Sequence, residues 1–330
     1  MQTVLYALSV AASVVAAYAA APGAARAEKP VATFSIVGYD PATGELGCAV
    51  QSKFFAVGAV VPWAKSGVGA VATQAFANTT FGPRGLELLA RGKSPEDALA
   101  ELLAEDAGRA SRQVGIVDAQ GRAAAHTGAD CQAWAGHVTG EHFTAQGNIL
   151  AGEAVVAAMA EAFRGTEGML GEKLMRAIEA GQAAGGDSRG MQSAAILIVK
   201  AGAGYGGFDD VYCSLRVDDH ADPIRELRRI FDLWKVQALI LEGYRQVEAG
   251  RFTAAVSAGE EAVRLDGATG EPHYHLACYL SRAGRAEEAL DALAAAVARD
   301  PKLGPRAADD PDLKPLADRT RFQELTQAAR

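Results

Sequence analysis

The order in which strand and helix patterns succeed one another restricts this chain more than any single motif. Residues 33–39 alternate, Asp40-Pro41-Ala42-Thr43-Gly44 makes a turn, and residues 46–51 return, which is a β-hairpin. A second hairpin is expected from 57–62 and 68–73 about Lys65-Ser66-Gly67. Two helical patterns follow at 84–90 and 95–105, with Ser94 as N-cap, Pro95 at the first helical position and Asp97 in the first turn. A third hairpin (112–117 and 123–126), a second helix pair (151–163 and 170–182) and a last hairpin (193–200 and 211–217) complete the series. Hairpins separated by helix pairs predict an α+β layered sandwich and not a parallel βαβ sheet.

From about Trp234 the strand signals stop and a repeat begins. Gly250 and Gly284, Ala255 and Ala289, Ala262 and Ala296, and Asp266 and Asp300 all recur at one offset of 34 residues. That period, with small residues at the helix contacts, resembles the tetratricopeptide repeat. Two repeats are too few for a free-standing solenoid, so 311–329 is expected to supply a capping helix. A region of this kind is a scaffold or a surface for a protein partner.

Residues 1–27 read as a secretory signal outside the fold. An apolar stretch (4–21) leads to Ala25-Arg26-Ala27, a small-residue cleavage pattern that would start the mature chain at Glu28. The lack of Lys or Arg in Met1-Gln2-Thr3 and the length of the stretch keep an uncleaved membrane anchor open as the alternative. The expected domains are therefore 28–233 and 234–330. Both readings export the bulk of the protein, to the periplasm or beyond. A net charge of −8 without any Lys/Arg-rich run argues against a nucleic-acid surface. Cys48, Cys131, Cys213 and Cys278 show no metal spacing and are expected to be free thiols packed as small apolar groups.

The stretch 185–195, GGDSRGMQSAA, places an acid, hydroxyls, a base and an amide at the entry of an apolar run. It reads either as the lining of a site or as a well-capped loop with Asp187 and Arg189 as a local ion pair. Gly202-Ala203-Gly204-Tyr205-Gly206-Gly207 satisfies G-x-G-x-x-G, but a strand and not a helix is expected after it. A hairpin loop that binds no nucleotide is the reading taken. Asp218-Asp219-His220 reads as a solvated strand end, and His273 and His275, two apart on a helix, point to different faces. Neither a metal nor a cofactor is expected.

Six segments together resemble the DUF1028 family. They are TFSIVGYDPATGELGCAVQSKFFAVGAVVPWA (33–64), GVGAVATQAF (67–76), RQVGIVDAQGRAAAHTG (112–128), QGNILAG (146–152), GGDSRGMQSAA (185–195) and LRVDDHADPIRELRRI (215–230). The resemblance spans about 31–233 and implies the four-layer αββα sandwich of the N-terminal nucleophile (Ntn) hydrolases. Those enzymes attack with the side chain of an N-terminal Thr, Ser or Cys and use its freed α-amine, with a pKa of about 8, as the base. Thr33 opens the first strand and is the position that would carry this role, with Ser35 on the same face as its substitute. On such a fold, geometry would let Asn148 donate to an oxyanion and Asp187, Arg189 and Ser193 orient the amine or substrate. Lys53 would lower the pKa of the nucleophile.

Cleavage after Ala27 leaves Glu28-Lys29-Pro30-Val31-Ala32 ahead of Thr33, so a second cut is required to free the Thr33 amine. Two classes stay open: an exported amidohydrolase acting on an amide-containing small molecule or peptide, and an inactive Ntn-like binding module with a protein-interaction tail.

Overall fold

The computed structural model describes residues 33–327. The expected signal, the Glu28 start, the peptide 28–32 and the end of the expected cap lie outside the described residues.

Among the described residues, ten strands form two antiparallel sheets. One has six strands in the order β10-β9-β2-β1-β8-β7 and the other four in the order β3-β4-β5-β6. The six-stranded sheet contains β1 (Thr33–Asp40), β2 (Glu45–Ser52), β7 (Gly136–Gly140), β8 (Phe143–Asn148), β9 (Ser193–Val199) and β10 (Val211–Val217). The four-stranded sheet contains β3 (Pro62–Lys65), β4 (Gly69–Ala75), β5 (Arg112–Asp118) and β6 (Ala123–Thr127).

Alternation along each strand sorts the side chains into layers. Phe34 and Ile36 of β1 pack with Met159, Phe163, Leu174 and Ile178 of α3 (Ala154–Gly165) and α4 (Leu170–Ala183). Val37 faces the opposite way, joining Val50, Ala70, Ala72 and Val117 between the two sheets. Val71, Val114 and Ile116 meet Leu88, Leu99 and Leu102 of α1 (Phe81–Ala90) and α2 (Pro95–Ala104). The layers therefore run helix, sheet, sheet, helix. Ser94 caps α2 by accepting the Asp97 N–H at 3.1 Å, as its position before Pro95 predicts.

Two parts of the strand reading change. Residues 57–61 do not form a strand: Val57–Ala59 is a 3-10 turn and the hairpin starts at Pro62. Ala56 sits at φ 53 and the Val57 N–H is taken by the Ser193 hydroxyl at 3.1 Å, which turns the chain out of a ladder. Conversely, β7 and β8 form from GHVTG and FTAQGN, whose Gly, Gln and Asn are poor strand signals.

The chain then enters α5 (Pro223–Glu248), one continuous helix across the expected boundary at 233/234. Leu227 and Phe231 pack it on the first domain. Arg228 bonds Glu179 Oε1 at 2.7 Å and Glu172 Oε2 at 2.9 Å, both on α4. Helices α6 (Phe252–Leu265), α7 (Glu271–Arg282), α8 (Ala286–Arg299), α9 (Leu303–Asp309) and α10 (Thr320–Gln327) follow, with no strand among the described residues after Val217. Gly250 and Gly284, at φ 70 and 76, each end one helix and lead into the next. Ala255, Ala262, Ala289 and Ala296 are all fully buried, so the 34-residue offset in sequence is an offset between equivalent helix contacts.

Candidate functional site

The central position of β1 places its first residue inside a row of polar side chains. Thr33 pairs with Ser52 on β2 and with Asn148 on β8, and Ser52 pairs with Ser193 on β9. Directly opposed residues of antiparallel strands share a face. Ser193, Ser52, Thr33 and Asn148 therefore cross four strands in one line, two residues before Ser35 and its opposite number Gln146. The facing sheet answers with its own row: Gln74 pairs with Gln113, and Gln113 with Thr127. Thr33, Ser35, Ser52, Gln74, Gln113 and Gln146 have no exposed surface and Asn148 is 1% exposed.

Buried polar groups at this density persist only by bonding one another. Thr33 Oγ1 donates to Ser52 Oγ at 3.1 Å. Ser35 Oγ donates to Gln74 Oε1 at 2.6 Å and accepts from Gln146 Nε2 at 2.7 Å. Gln74 Nε2 donates to Gln113 Oε1 at 2.8 Å and to the Thr33 carbonyl at 3.3 Å. Asn148 Nδ2 reaches the same Gln113 Oε1 at 2.9 Å. Gln113 Nε2 in turn lies 2.7 Å from the Gly147 carbonyl and 2.9 Å from Thr127 Oγ1. Gln113 is thus the joint of the cluster, and every member is neutral. Gly115 faces this row without a side chain, because a Cβ there would lie 2.3 Å from Gln146 Oε1 and 2.4 Å from Thr144 Oγ1.

The remaining residues named from sequence sit at one edge of this row and hold loops. Asp187 accepts the Lys53 N–H at 3.0 Å and the Arg189 N–H at 2.9 Å. The Arg189 guanidinium grips the same carboxylate through Nε at 3.1 Å and Nη2 at 2.9 Å, the local ion pair of the capped-loop reading. Lys53 Nζ donates to the Met191 carbonyl at 3.1 Å and the residue is exposed. Its ammonium is therefore committed to the 187–192 loop, since residue 53 follows Ser52 and alternation turns it off the inter-sheet face. Ser193 donates to the Phe54 carbonyl at 2.5 Å and accepts from Val57 N, which makes it a latch for the turn after β2. On the other rim, the Arg112 hydrogen bond lowers the Asp106 carboxyl to about 2, helped by Asn78 and the Gly108 N–H against the cost of burial.

Two cavities lie elsewhere. One of about 740 Å³ is walled by the glycine hairpin 202–207 and by Tyr212, Trp234, Leu241 and Tyr244. That hairpin joins two antiparallel strands through a 3-10 turn, so no helix N-terminus stands where a pyrophosphate would need one. The other, of about 530 Å³, is lined by Thr127, Cys131, Trp134 and His137. Thr33 lines neither.

Clusters of potential metal ligands among the described residues are closed by hydrogen bonds. Cys278, Asp310 and Asp312 converge, but Tyr274 donates its hydroxyl to Asp310 at 2.6 Å and Arg282 pairs with Asp312 at 2.6 Å. Asp218 pairs with Arg216, and Asp219 accepts from Gln192, as a strand end would. Cys48, Cys131, Cys213 and Cys278 are free, and burial pushes each thiol up.

Sequence reading missed Ser52, Gln74, Gln113 and Gln146. The available signal was a polar residue at an inward-facing position of a strand otherwise apolar on that face, as with Gln74 beyond Ala70 and Ala72.

No curated protein matches the chain. Among solved structures it is similar to the crystal structure of protein SPO2555 from Silicibacter pomeroyi, assigned to DUF1028. The two share 35% identity with a TM-score of 0.56, over 61% of this chain and 84% of that one. Residues 33–227, more than half of the chain, match the family described as "Family of unknown function (DUF1028)". The chain belongs to that family.

Proposed function

We propose that residues 28–233 form an Ntn-hydrolase-like αββα domain and that the protein is an exported amidohydrolase with Thr33 as nucleophile. The observation that carries this reading is the placement of Thr33 at the start of a central strand, directly opposite Ser52 and Asn148 in a neutral polar row between the sheets. Removal of the preceding chain would free its amine beside its own hydroxyl. The amine takes the hydroxyl proton, Oγ1 adds to the amide carbonyl, and the leaving amine departs with the proton. Water then hydrolyses the acyl ester with the same amine as base. One N–H of Asn148 is held by Gln113, and the other is the donor for the oxyanion.

The tail fits the same scheme as a pair of tetratricopeptide-like repeats with a cap, offering a surface to a protein partner. Among the described residues no helix is long and apolar enough to cross a membrane. The second reading, an inactive Ntn-like binding module, is favoured by one observation: Thr33 has no exposed surface. Amide hydrolysis by the purified protein separates the two. Thr33→Ala should abolish it with the fold intact, and Thr33→Ser should keep part of the rate because hydroxyl and amine both remain. Unchanged turnover in Thr33→Ala would remove Thr33 from the mechanism.

A further inference from the structure

The edges of the two sheets meet at a second hydroxyl, outside the Thr33 row. Thr127 ends β6 and His137 lies on the edge strand β7, and Thr127 Oγ1 is 2.9 Å from His137 Nδ1. Gln113 Nε2, a fully buried donor, approaches Thr127 Oγ1 at 2.9 Å. An amide N–H can only donate, so that contact occupies an acceptor position of the hydroxyl and leaves its O–H to point at the imidazole. In the tautomer that carries its proton on Nε2, His137 Nδ1 accepts that O–H. His137 is exposed, and partial desolvation, with His126 nearby, still lowers its pKa, which favours the neutral ring at pH 7.

Both groups line the cavity of about 530 Å³. Gly128, Ala129, Ala133 and Gly136 keep its walls low beside the hydroxyl, and Trp134 supplies an apolar plate. Cys131 also lines it, but its S–H is held by the Arg112 carbonyl at 3.4 Å and burial raises the thiol, whereas the Thr127 hydroxyl has a base beside it.

We propose that Thr127 and His137 form a nucleophile–base pair in this cavity that transfers the acyl group of small uncharged esters. The Thr127 hydroxyl oxygen bonds to the ester carbonyl carbon while His137 Nδ1 takes its proton. The carbon–oxygen bond to the alcohol then breaks, and the alcohol leaves with that proton. Water attacks the acyl-Thr127 ester, gives a proton to His137, and the proton returns to Thr127 as the acid departs. The pair shares Gln113 with the Thr33 cluster but does not depend on Thr33 as nucleophile and needs no cut in the chain.

The test uses the full chain and p-nitrophenyl acetate. Steady release of p-nitrophenol is expected, with acetyl trapped at low pH on the peptide carrying Thr127. Thr127→Val and His137→Gln should each lower the rate by about 100-fold or more, and Thr127→Ser should restore part of it. Absence of turnover, acetyl found on Thr33 or on lysines and not on Thr127, or wild-type rates in both variants would overturn the proposal. Should Thr127→Val fail to fold, the acetyl map of the unaltered protein decides the matter alone.

Discussion

Thr33 and Asn148 stand directly opposite each other across β1 and β8, although 33 opens the first strand and 148 closes the eighth. No sequence motif joins them; the sheet order brings them together. Gln113 of the facing sheet fixes Asn148 through its carbonyl and, through Gln74, reaches the backbone of Thr33.

Gln113→Leu tests that joint. It would strip the partner from Asn148 Nδ2 and weaken the hold on Gln74 Nε2, both buried. We expect a loss of about 3 kcal/mol, since each buried unpaired polar group costs roughly 1–3 kcal/mol. A lower urea midpoint with an unchanged slope is the reading to look for. A midpoint equal to that of the unaltered protein would mean the cluster is not a unit.

Ser193→Ala tests the latch. It leaves the Val57 N–H and the Phe54 carbonyl without their partner, and a loss of about 1–2 kcal/mol is expected. Hydrogen exchange should rise at Val57 before it rises in β9. Equal protection at Val57 in both proteins would mean that Ser193 does not hold this turn.

Asp106 supplies a pH test. Its carboxyl is lowered to about 2 in the fold, first by the Arg112 hydrogen bond, from an ordinary value of 3.8. A depressed carboxyl contributes stability that is complete above the unfolded value and disappears as pH falls through the folded one. The stability difference between the unaltered protein and Asp106→Asn should therefore be constant above about pH 5 and shrink toward pH 2. A gap that does not change over this window would mean that the Arg112 pair contributes nothing.

Much of the fold was legible because its signals are local. The first hairpin, the Ser94 cap and the helix pairs each lie within a dozen or so residues of their own evidence. Thr33, Ser35 and Asn148 were found as residue types, but their company was not. Ser35 meets Gln74 at a separation of 39 residues and Gln146 at 111, so only the stacking of two sheets reveals the network. Lys53 shows a related effect: an ammonium on a long side chain can reach many partners, and it bonds the carbonyl of Met191, in a loop 138 residues away. The expected boundary at 233/234 falls inside α5, a single helix that runs through both regions.

The nucleophile reading stands or falls on the first residue of the mature chain. Intact mass and N-terminal sequencing of the protein purified from its native compartment measure this directly. The account predicts a species beginning at Thr33, with the Thr33 amine free. A fully processed protein that begins at Glu28, or further upstream, and is never trimmed would contradict it, because the only α-amine would then be at least five residues from the hydroxyl it must serve.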